Sequence, residues 1–383
     1  MKEKIENTHR SHFGDNVSTL YFSPATMTVL GEGLDNLKGP TLSFAIDKGL
    51  WAGVSARDDL MVHIHLNFHA EWFDLSVDLS NLDKQQTSIY ARLLVSMIKK
   101  LQYEGYKVFK GLNITIESSA GLPVGYSVYA TLEVLLMHIL TAQHHFKLSK
   151  EAQVRYAYLA EKSINELLPT IAQHYAVMFC QHDHITLLDT KTLDATHYPV
   201  NDDVYFLGVF VARPKFLIDE DLAKQIKAID EATKTFKRYR SIDTIASLTF
   251  SDFNGLKHLL SKRKTLPYVE HVMFELDRID QASGYLENHD YFMFGDVLEH
   301  SHHSLFGLYE VVAPYHERIV NYLMENNAYG ARLCTISHNQ FVLGLFHRDD
   351  AIDKDALSEH IRRRHNKHLH IDVLHFTNGI ANQ

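Results

Sequence analysis

The chain has little of what marks a secreted, membrane-spanning or nucleic-acid-binding protein. It contains only two cysteines, Cys180 and Cys334, and it opens without an apolar leader, so neither secretion nor a disulfide framework is expected. Eight prolines and 18 glycines in 383 residues are too few for long disordered linkers. No apolar run is long enough to cross a bilayer. A net charge of −9 lacks the positive balance on which nonspecific nucleic-acid binding depends. These absences favour a cytoplasmic globular protein with no nucleic-acid or membrane partner.

The pattern of apolar residues predicts an α+β protein. The stretch from residue 17 to 53 alternates short β-rich runs with turn residues and predicts a series of short strands. Met61 to Phe68 alternates apolar and polar residues, as a half-buried strand does. A further strand at Gly111 to Glu117 leads through a glycine-containing loop into a long apolar helix. We predict two domains, residues 1–200 and 201–383, because helical patterns dominate after the boundary.

Histidine is the one residue type in clear excess, with 26 copies. Several lie close together in the sequence, at His63/His65/His69, His144/His145, His182/His184 and His300/His302/His303. No HExxH or cysteine-rich ligand spacing accompanies them, so the sequence does not favour a metal site made of these histidines. A pH-responsive role and a composition suited to an acid-tolerant cytoplasm are both consistent with this excess.

Three segments together carry a family resemblance. Residues 23–47 (SPATMTVLGEGLDNLKGPTLSFAID) keep the order of a Pro-Gly-Arg-Val-Asn-Leu-Ile-Gly-Glu-His-Thr-Asp motif. Residues 269–279 resemble an Arg-His-Val-x-x-Glu helix, and residues 290–320 resemble a Ser-His-x-Ser-Leu-x-x-x-Tyr-Glu-Val-Ser-x-Pro segment. On these motifs the chain resembles the galactokinases, members of the GHMP family of small-molecule kinases, over nearly its whole length.

The resemblance implies a fold and an activity. The fold would have an N-terminal and a C-terminal domain, each with mixed sheets and helices, with the active-site cleft between them. The activity would be the ATP-dependent conversion of galactose to galactose 1-phosphate in carbohydrate metabolism, with Mg-ATP as the cofactor. Because the best-kept helices are mainly scaffold, they imply ancestry more directly than activity.

The phosphate-binding loop departs from the family pattern Gly-Ala-Gly-Leu-Ser-Ser-Ser-Ala-Ser. Residues 123–131 read PVGYSVYAT, which keeps Gly125 and Ser127 as candidate nucleotide-binding residues. Val128 and Tyr129 stand where the family has hydroxyl groups for magnesium and phosphate. A phosphate nest needs small residues at a helix N-terminus, so two bulky side chains there oppose nucleotide binding.

The catalytic positions also differ. The family's Gly-Ile-Met-Asp-Gln-Phe motif aligns with TIAQHY, so that Gln173 replaces the catalytic aspartate and His174 follows it. Thr26 stands at the position of the family's supporting arginine. Glu161, in a retained Ala-Glu pair, and Ser127 are the candidate magnesium ligands. His174 either acts as a substitute base or packs in the interior.

The sugar-binding motif is half retained. Glu32 and Asp35 match family residues that bind galactose hydroxyls, whereas the histidine of that set is Gly33 here. Glu32 and Asp35 are therefore the candidate substrate-binding residues, although a turn-and-cap pair explains them equally well. The third family motif, rich in glycine, becomes TISHNQ at residues 335–340, and its loop must take another shape.

Three functions remain compatible with these residues. We favour a galactokinase-like protein with impaired catalysis, a pseudoenzyme that binds a sugar or related metabolite in the interdomain cleft, without a cofactor, and reports occupancy to a protein partner. The alternative is an active sugar kinase in which Glu161 and Ser127 hold magnesium and Gln173 or His174 serves at the catalytic position. A third is a structural subunit that pairs with a true galactokinase.

Overall fold

The fold was analysed in a computed structural model of the chain. The structure describes residues 1–68, 71–119, 128–164, 170–211, 220–336 and 339–382. They form two compact units that are interleaved along the chain. Unit 1 contains residues 1–27, 45–182 and 376–383, and unit 2 contains residues 28–44 and 183–375. The two longest continuous segments meet at residues 182 and 183, and the single domain boundary near residue 200 stays a prediction.

Helices and strands mix along the whole chain, which confirms the predicted α+β class. The helices are α1 Lys2–Phe13, α2 Ile89–Tyr103, α3 Val128–Gln143, α4 Lys150–Lys162, α5 Ile171–Phe179, α6 Glu220–Phe236, α7 Phe250–Leu256, α8 Leu266–Glu287, α9 Tyr291–Ser304, α10 Pro314–Glu325 and α11 Lys354–His365. The strands are β1 Thr19–Leu30, β2 Pro40–Ala56, β3 Met61–Phe68, β4 Glu71–Asp78, β5 Leu112–Ser118, β6 His184–Asp189, β7 Ala195–Pro199, β8 Val204–Val211, β9 Gly330–Ile336, β10 Asn339–His347, β11 Leu369–Leu374 and β12 Ala381–Asn382.

The sheet of unit 1 has the strand order β12-β1-β2-β5-β3-β4. Strands β3 and β5 run parallel, with Val62 opposite Leu112, and β4 pairs antiparallel with β3. The alternation predicted for Met61 to Phe68 is confirmed, because every second residue of β3 is buried. Buried and half-buried residues therefore occupy opposite faces of this strand.

The first strands are longer than the sequence predicts. The short runs expected between residues 17 and 53 are joined into two long strands, β1 and β2, each of which begins in one unit and ends in the other. Gly49 is not a turn residue. A Cβ at this glycine would lie 2.0 Å from the carbonyl oxygen of Ser23, so it marks a close approach of two backbones in unit 1. Turn-type residues therefore predicted strand ends in this region that the structure does not have.

Three helices of unit 1 carry much of the candidate site. Helix α3 is apolar on nearly all sides, and its side chains from Leu132 to Leu140 are buried except for a half-buried His138. It packs against α4 and α5, which also contact each other. Ser149 caps α4 by accepting a hydrogen bond from the Ala152 amide at 3.2 Å. These three mutually packed helices give the side chains between them rigid supports.

Unit 2 is built on the antiparallel sheet β11-β8-β10-β9. Helix α9 packs against α8 and β9, and α10 packs against β9, β10 and α11. The core between them includes Leu207, Val209, Leu323, Val342 and Phe346, each at most 1% exposed. The hairpin of β6 and β7 pairs with the first residues of β2, which also belong to unit 2.

Among the described residues, no helix combines the length and the apolar character needed to cross a bilayer. Cys180 and Cys334 are both buried free thiols.

Candidate functional site

Helix α5 carries Gln173 and His174, the two residues that the resemblance predicts at the catalytic position. Gln173 is half-buried, and His174 is fully buried. Nδ1 of His174 donates a hydrogen bond to the carbonyl oxygen of Thr170, one turn earlier, at 2.9 Å. Its Nε2 lies 2.7 Å from Oε2 of Glu133 on α3. Both ring nitrogens therefore have partners inside the protein, and α5 itself carries no carboxylate.

A third side chain, from α4, completes a buried cluster that we call the helix-bundle triad: Glu133, Glu161 and His174. Oε2 of Glu161 lies 3.5 Å from Nε2 of His174. One potential ligand atom from each residue lies within 4.8 Å of the other two. The side chains of Glu133 and His174 have no exposed surface, and that of Glu161 is 7% exposed. The structure thus joins the predicted residues Glu161 and His174 and adds Glu133.

Burial controls the protonation of the triad carboxyls. It raises the pKa of Glu133 well above the usual range of a glutamate. Burial, together with the adjacent charge of Glu133, raises the pKa of Glu161 to about 9, against the opposing effect of His174. Two neighbouring carboxylates in a dry site repel each other, so protons or a cation must stand between them.

Mg-ATP is the cofactor that the resemblance implies, and the structure describes only some of the residues predicted to hold it. Glu161 keeps the carboxylate of the family position, but this group is turned into the triad and contacts His174. The other candidate ligand, Ser127, and the candidate nucleotide-binding residue Gly125 lie outside the described residues. Thr26 is buried in β1 and provides no positive charge at the arginine position. No catalytic step through magnesium or ATP is therefore derived from the triad.

The predicted sugar-binding residues lie in unit 2. Oε2 of Glu32 accepts a hydrogen bond from Nη2 of Arg332 at 2.9 Å. Oε1 of Glu32 is also buried, and it accepts no hydrogen bond from any residue that the structure describes. Burial raises the pKa of Glu32, although Arg332 opposes this shift. Asp35, 8% exposed, begins a short 3-10 turn that ends at Leu37.

Glu275 on α8 is the second carboxylate beside Arg332, whose Nη2 lies 3.9 Å from Glu275 Oε1. The carboxylate also accepts hydrogen bonds from Arg278 Nε at 2.8 Å, from Ser301 Oγ and from the backbone N–H of Gly31. Burial alone would raise its pKa, but Arg278 and Arg332 lower the pKa of Glu275 to about 2. Glu275 therefore stays ionised and ties the Gly31 backbone, next to Glu32, to α8.

The best-kept family segments form buried hydrogen bonds in the same unit. His302 Nδ1 accepts a hydrogen bond from the Leu333 amide at 3.2 Å, so Nε2 carries the proton and donates it to Glu317 at 2.9 Å. His271 is hydrogen-bonded to Ser304 at 2.8 Å. These contacts hold α8, α9 and β9 around Arg332. They give a structural account of segments that sequence reasoning assigned to the scaffold.

A separate histidine cluster lies on the exposed side of unit 1. His65 is stacked between His12 and Trp72, with ring centroids at 3.7 and 4.0 Å. Its Nδ1 lies 2.7 Å from Asp74, and His12 Nε2 lies 3.2 Å from the same oxygen. His63 lies two residues from His65 on β3, whereas His69 lies outside the described residues. The sequence clusters of histidine therefore did not identify this group correctly.

Comparison with known proteins gives one consistent result. No family model matches the chain. A galactokinase of Clostridium perfringens is 26% identical over 309 residues, which cover 80% of each chain. A structure of Lactococcus lactis galactokinase complexed with galactose matches 99% of both chains at a TM-score of 0.91 and 20% identity. A mevalonate kinase of Methanococcus jannaschii matches 94% of this chain and 98% of its own at a TM-score of 0.63 and 15% identity. The chain is therefore similar to galactokinases in sequence and shares the fold of the GHMP kinase structures.

The chain is galactokinase-like in both sequence and fold, in agreement with the resemblance that its motifs indicated. Two residues of the candidate site were missed by sequence reasoning. Glu133 has a visible signal, because it is a single carboxylate in the otherwise apolar segment LEVLL at the start of the longest apolar run. Arg332 has none, since its partner Glu32 is 300 positions away in the chain.

Proposed function

We propose that this galactokinase-like protein binds a sugar or a related small polar metabolite, has lost efficient phosphoryl transfer, and acts as a sensor or regulator. The observation that carries the proposal is the state of His174. A base must reach the sugar hydroxyl from which it takes a proton. His174 is instead buried, with Nδ1 bonded to Thr170 and Nε2 to Glu133. Gln173 beside it has no acid–base function.

Support for a sugar ligand comes from Glu32. Its Oε1 is a buried acceptor that receives no hydrogen bond from a described residue. A buried acceptor without a donor costs about 1–3 kcal/mol, and a hydroxyl group of a ligand would remove this cost. The Lactococcus lactis galactokinase structure contains galactose. Galactose and related hexoses are therefore the first ligands to test. In this proposal a protein partner distinguishes the sugar-bound form from the free form.

An active ATP-dependent sugar kinase is the second candidate function. It is supported by the Ala160–Glu161 pair, which resembles the family's magnesium-binding pair, and by the galactokinase names of the relatives. In this version Mg-ATP is required, and Gln173 or His174 serves at the catalytic position. The two candidates differ in whether galactose 1-phosphate and ADP are formed.

Calorimetry and a product assay separate the candidates. Purified protein is titrated with galactose, other hexoses and sugar phosphates, and the same samples are incubated with Mg-ATP and galactose and analysed for ADP and galactose 1-phosphate. We expect heat with at least one sugar and no product above the background without protein. Formation of galactose 1-phosphate would favour the active kinase, and absence of heat with every sugar would contradict the ligand-binding role.

A matched pair of variants tests the position of the ligand. Glu32→Gln keeps the shape of the side chain but weakens its acceptor, so sugar affinity should fall by at least about tenfold. Glu359→Gln changes an exposed carboxylate on α11 that pairs with Arg362 and Arg363, and it should leave affinity unchanged. Equal affinity of both variants would place the ligand elsewhere.

A further inference from the structure

We infer that the helix-bundle triad is a binding site for a divalent transition-metal ion, held by the protein alone. Glu133, Glu161 and His174 come from three different helices that pack against one another in unit 1. Imidazole nitrogen with carboxylate oxygen is a donor set suited to ions such as Zn²⁺, Mn²⁺ and Co²⁺, whereas Mg²⁺ prefers oxygen ligands and retains water. The inference does not depend on whether a sugar binds near Glu32.

The distances in the triad are close to those that a metal would impose. His174 Nε2 lies 2.7 Å from Glu133 Oε2 and 3.5 Å from Glu161 Oε2. Ligand atoms at about 2.0–2.1 Å from a tetrahedral ion are about 3.3 Å from each other. A metal would have to open the His174–Glu133 distance from 2.7 Å to about 3.3 Å, while all three ligand atoms already lie within 4.8 Å of one another. Three protein ligands would leave at least one coordination position for water or another small molecule.

His174 is already oriented as metal-binding histidines are. Its Nδ1–H donates to the carbonyl oxygen of Thr170 at 2.9 Å. This bond fixes the ring and directs Nε2 toward the two carboxylates. Histidines that bind metal commonly donate their other ring N–H to a backbone carbonyl or a carboxylate, which sets the ligating nitrogen. The motif Gly-Ile-Met-Asp-Gln-Phe has no histidine at this position, so the imidazole ligand is a departure from that pattern.

A second observation points to a missing cation. Oε1 of Glu133 is buried and has no nitrogen or hydroxyl donor among the described residues, although the carboxyl group as a whole is hydrogen-bonded to that of Glu161. This atom belongs to a side chain with no exposed surface, next to a second carboxyl group and far from solvent. A cation bound by both carboxylates would satisfy this acceptor in place of a proton.

Metal binding is measured on the full chain after treatment with a chelator. Zn²⁺ is titrated by calorimetry, and Co²⁺ is used as a spectroscopic probe because its visible absorption reports bound nitrogen and oxygen ligands. We expect one tight site per chain for either ion and much weaker binding of Mg²⁺. Absence of a one-to-one site, or equal affinity for Mg²⁺ and Zn²⁺, would overturn the inference.

Four variants assign the site. His174→Gln and Glu161→Gln should each weaken Zn²⁺ binding by more than about 100-fold and remove the Co²⁺ absorption, since loss of a direct ligand exceeds the effect of losing a supporting hydrogen bond. His302→Gln changes another buried His–Glu pair, with Glu317, and should bind Zn²⁺ as the unmodified chain does. His12→Gln tests the exposed group at Asp74 and should also have no effect.

The outcomes are distinguishable even where a variant is unstable. If His174→Gln does not fold, Glu161→Gln decides the result, because Glu161 is the triad residue with some exposure and its loss disturbs packing least. Tight binding that survives Glu161→Gln but is lost in His12→Gln would show that Zn²⁺ binds on the surface, and it would overturn the triad as the metal site. Binding unchanged in all four variants would also overturn it.

Discussion

At the scale of single residues, buried polar groups decide how unit 2 is held together. Arg332, 1% exposed, lies between Glu32 and Glu275 and also donates to the carbonyl oxygen of Val29. His271 lies on the same helix as Glu275 and is bonded to Ser304. Such groups tolerate burial only when their charges and hydrogen bonds are matched, so changes in protonation here affect stability directly.

His271 should make the protein less stable in acid. Burial lowers its pKa to about 4, with Glu275 opposing this shift and Arg278 and Arg332 reinforcing it. Above pH 6.5 the histidine is neutral in both the folded and the unfolded chain. As the pH falls from 6.5 to 4, the unfolded chain binds a proton that the folded chain does not, which destabilises the fold by up to roughly 3 kcal/mol.

Urea unfolding between pH 4 and 7 tests this dependence. His271→Gln keeps a hydrogen-bonding amide near Ser304 but cannot titrate, so its free energy of unfolding should decrease less on acidification than that of the unmodified protein. His258→Gln, at an exposed position, should follow the unmodified protein. Glu275 remains ionised across this range because its pKa is about 2. If the free energy of unfolding decreased equally with falling pH in His271→Gln and in the unmodified chain, the role of His271 would be refuted.

At the scale of secondary-structure elements, glycine sets the distance between α9 and β9. A Cβ at Gly295 would lie 2.4 Å from the backbone of Tyr329, and one at Gly330 would lie 1.9 Å from the carbonyl oxygen of Gly295. Backbone atoms cannot move away as a side chain can. This close approach brings the start of β9, and with it Arg332, against α9.

Two glycine-to-alanine changes in neighbouring helices should have opposite effects. Gly295→Ala forces α9 away from β9 and should destabilise the protein by about 1–3 kcal/mol. Gly284→Ala on α8 meets no atom within 4 Å and should stabilise it by about 0.5–1 kcal/mol, because alanine loses less backbone entropy in a helix. Urea unfolding followed by circular dichroism measures both. If Gly295→Ala left the free energy of unfolding unchanged, α9 and β9 would be able to move apart without loss of stability.

How far these elements could be predicted from sequence depended on local patterning. The alternation of residues 61–68 predicts β3, and the helical spacing of residues 90–102 predicts α2; both are confirmed. Helical spacing over residues 156–168 also predicts a helix, which begins earlier in the structure, at Lys150, and ends at Lys162, whereas residues 165–168 lie outside the described residues. β1 and β2 were divided wrongly because Pro24 and Gly49 were interpreted as turn signals.

The candidate site was less predictable because its contacts are nonlocal. Glu133 and His174 are 41 positions apart, and Glu32 and Arg332 are 300 positions apart. Only the family resemblance directed attention to Glu32, Glu161 and His174. Neither periodicity nor motif spacing indicates that His174 bonds to Glu133, since that contact depends on how α3 and α5 pack. The roles of Gly125, Ser127, Thr26, Gln173 and Asp35 stay predictions.

At the scale of the whole molecule, the last residues of the chain belong to the same unit as the first residues. Residues 376–383 return to unit 1, where β12 pairs with β1 at Tyr21 and Phe22. The Gly379 amide donates to the Cys180 carbonyl at 2.7 Å, and the Ile380 amide donates to the Val177 carbonyl at 2.9 Å. Unit 1 is therefore completed only by the last residues of the chain.

Deleting residues 376–383 should destabilise unit 1 by about 3–5 kcal/mol, since several backbone hydrogen bonds and the buried side chain of Ile380 are lost together. The two tryptophans, Trp51 and Trp72, both lie in unit 1, so their fluorescence during urea unfolding reports on this unit. Thr377→Ala is the matched control, because it keeps every backbone hydrogen bond of the segment and should shift stability by no more than about 0.5 kcal/mol. If the shortened chain and Thr377→Ala unfold at the same urea concentration, the terminal segment does not stabilise unit 1. If the deletion alone lowers the urea concentration at which the protein unfolds by a large amount, residues 376–383 fold as one unit with residues 1–27 and 45–182.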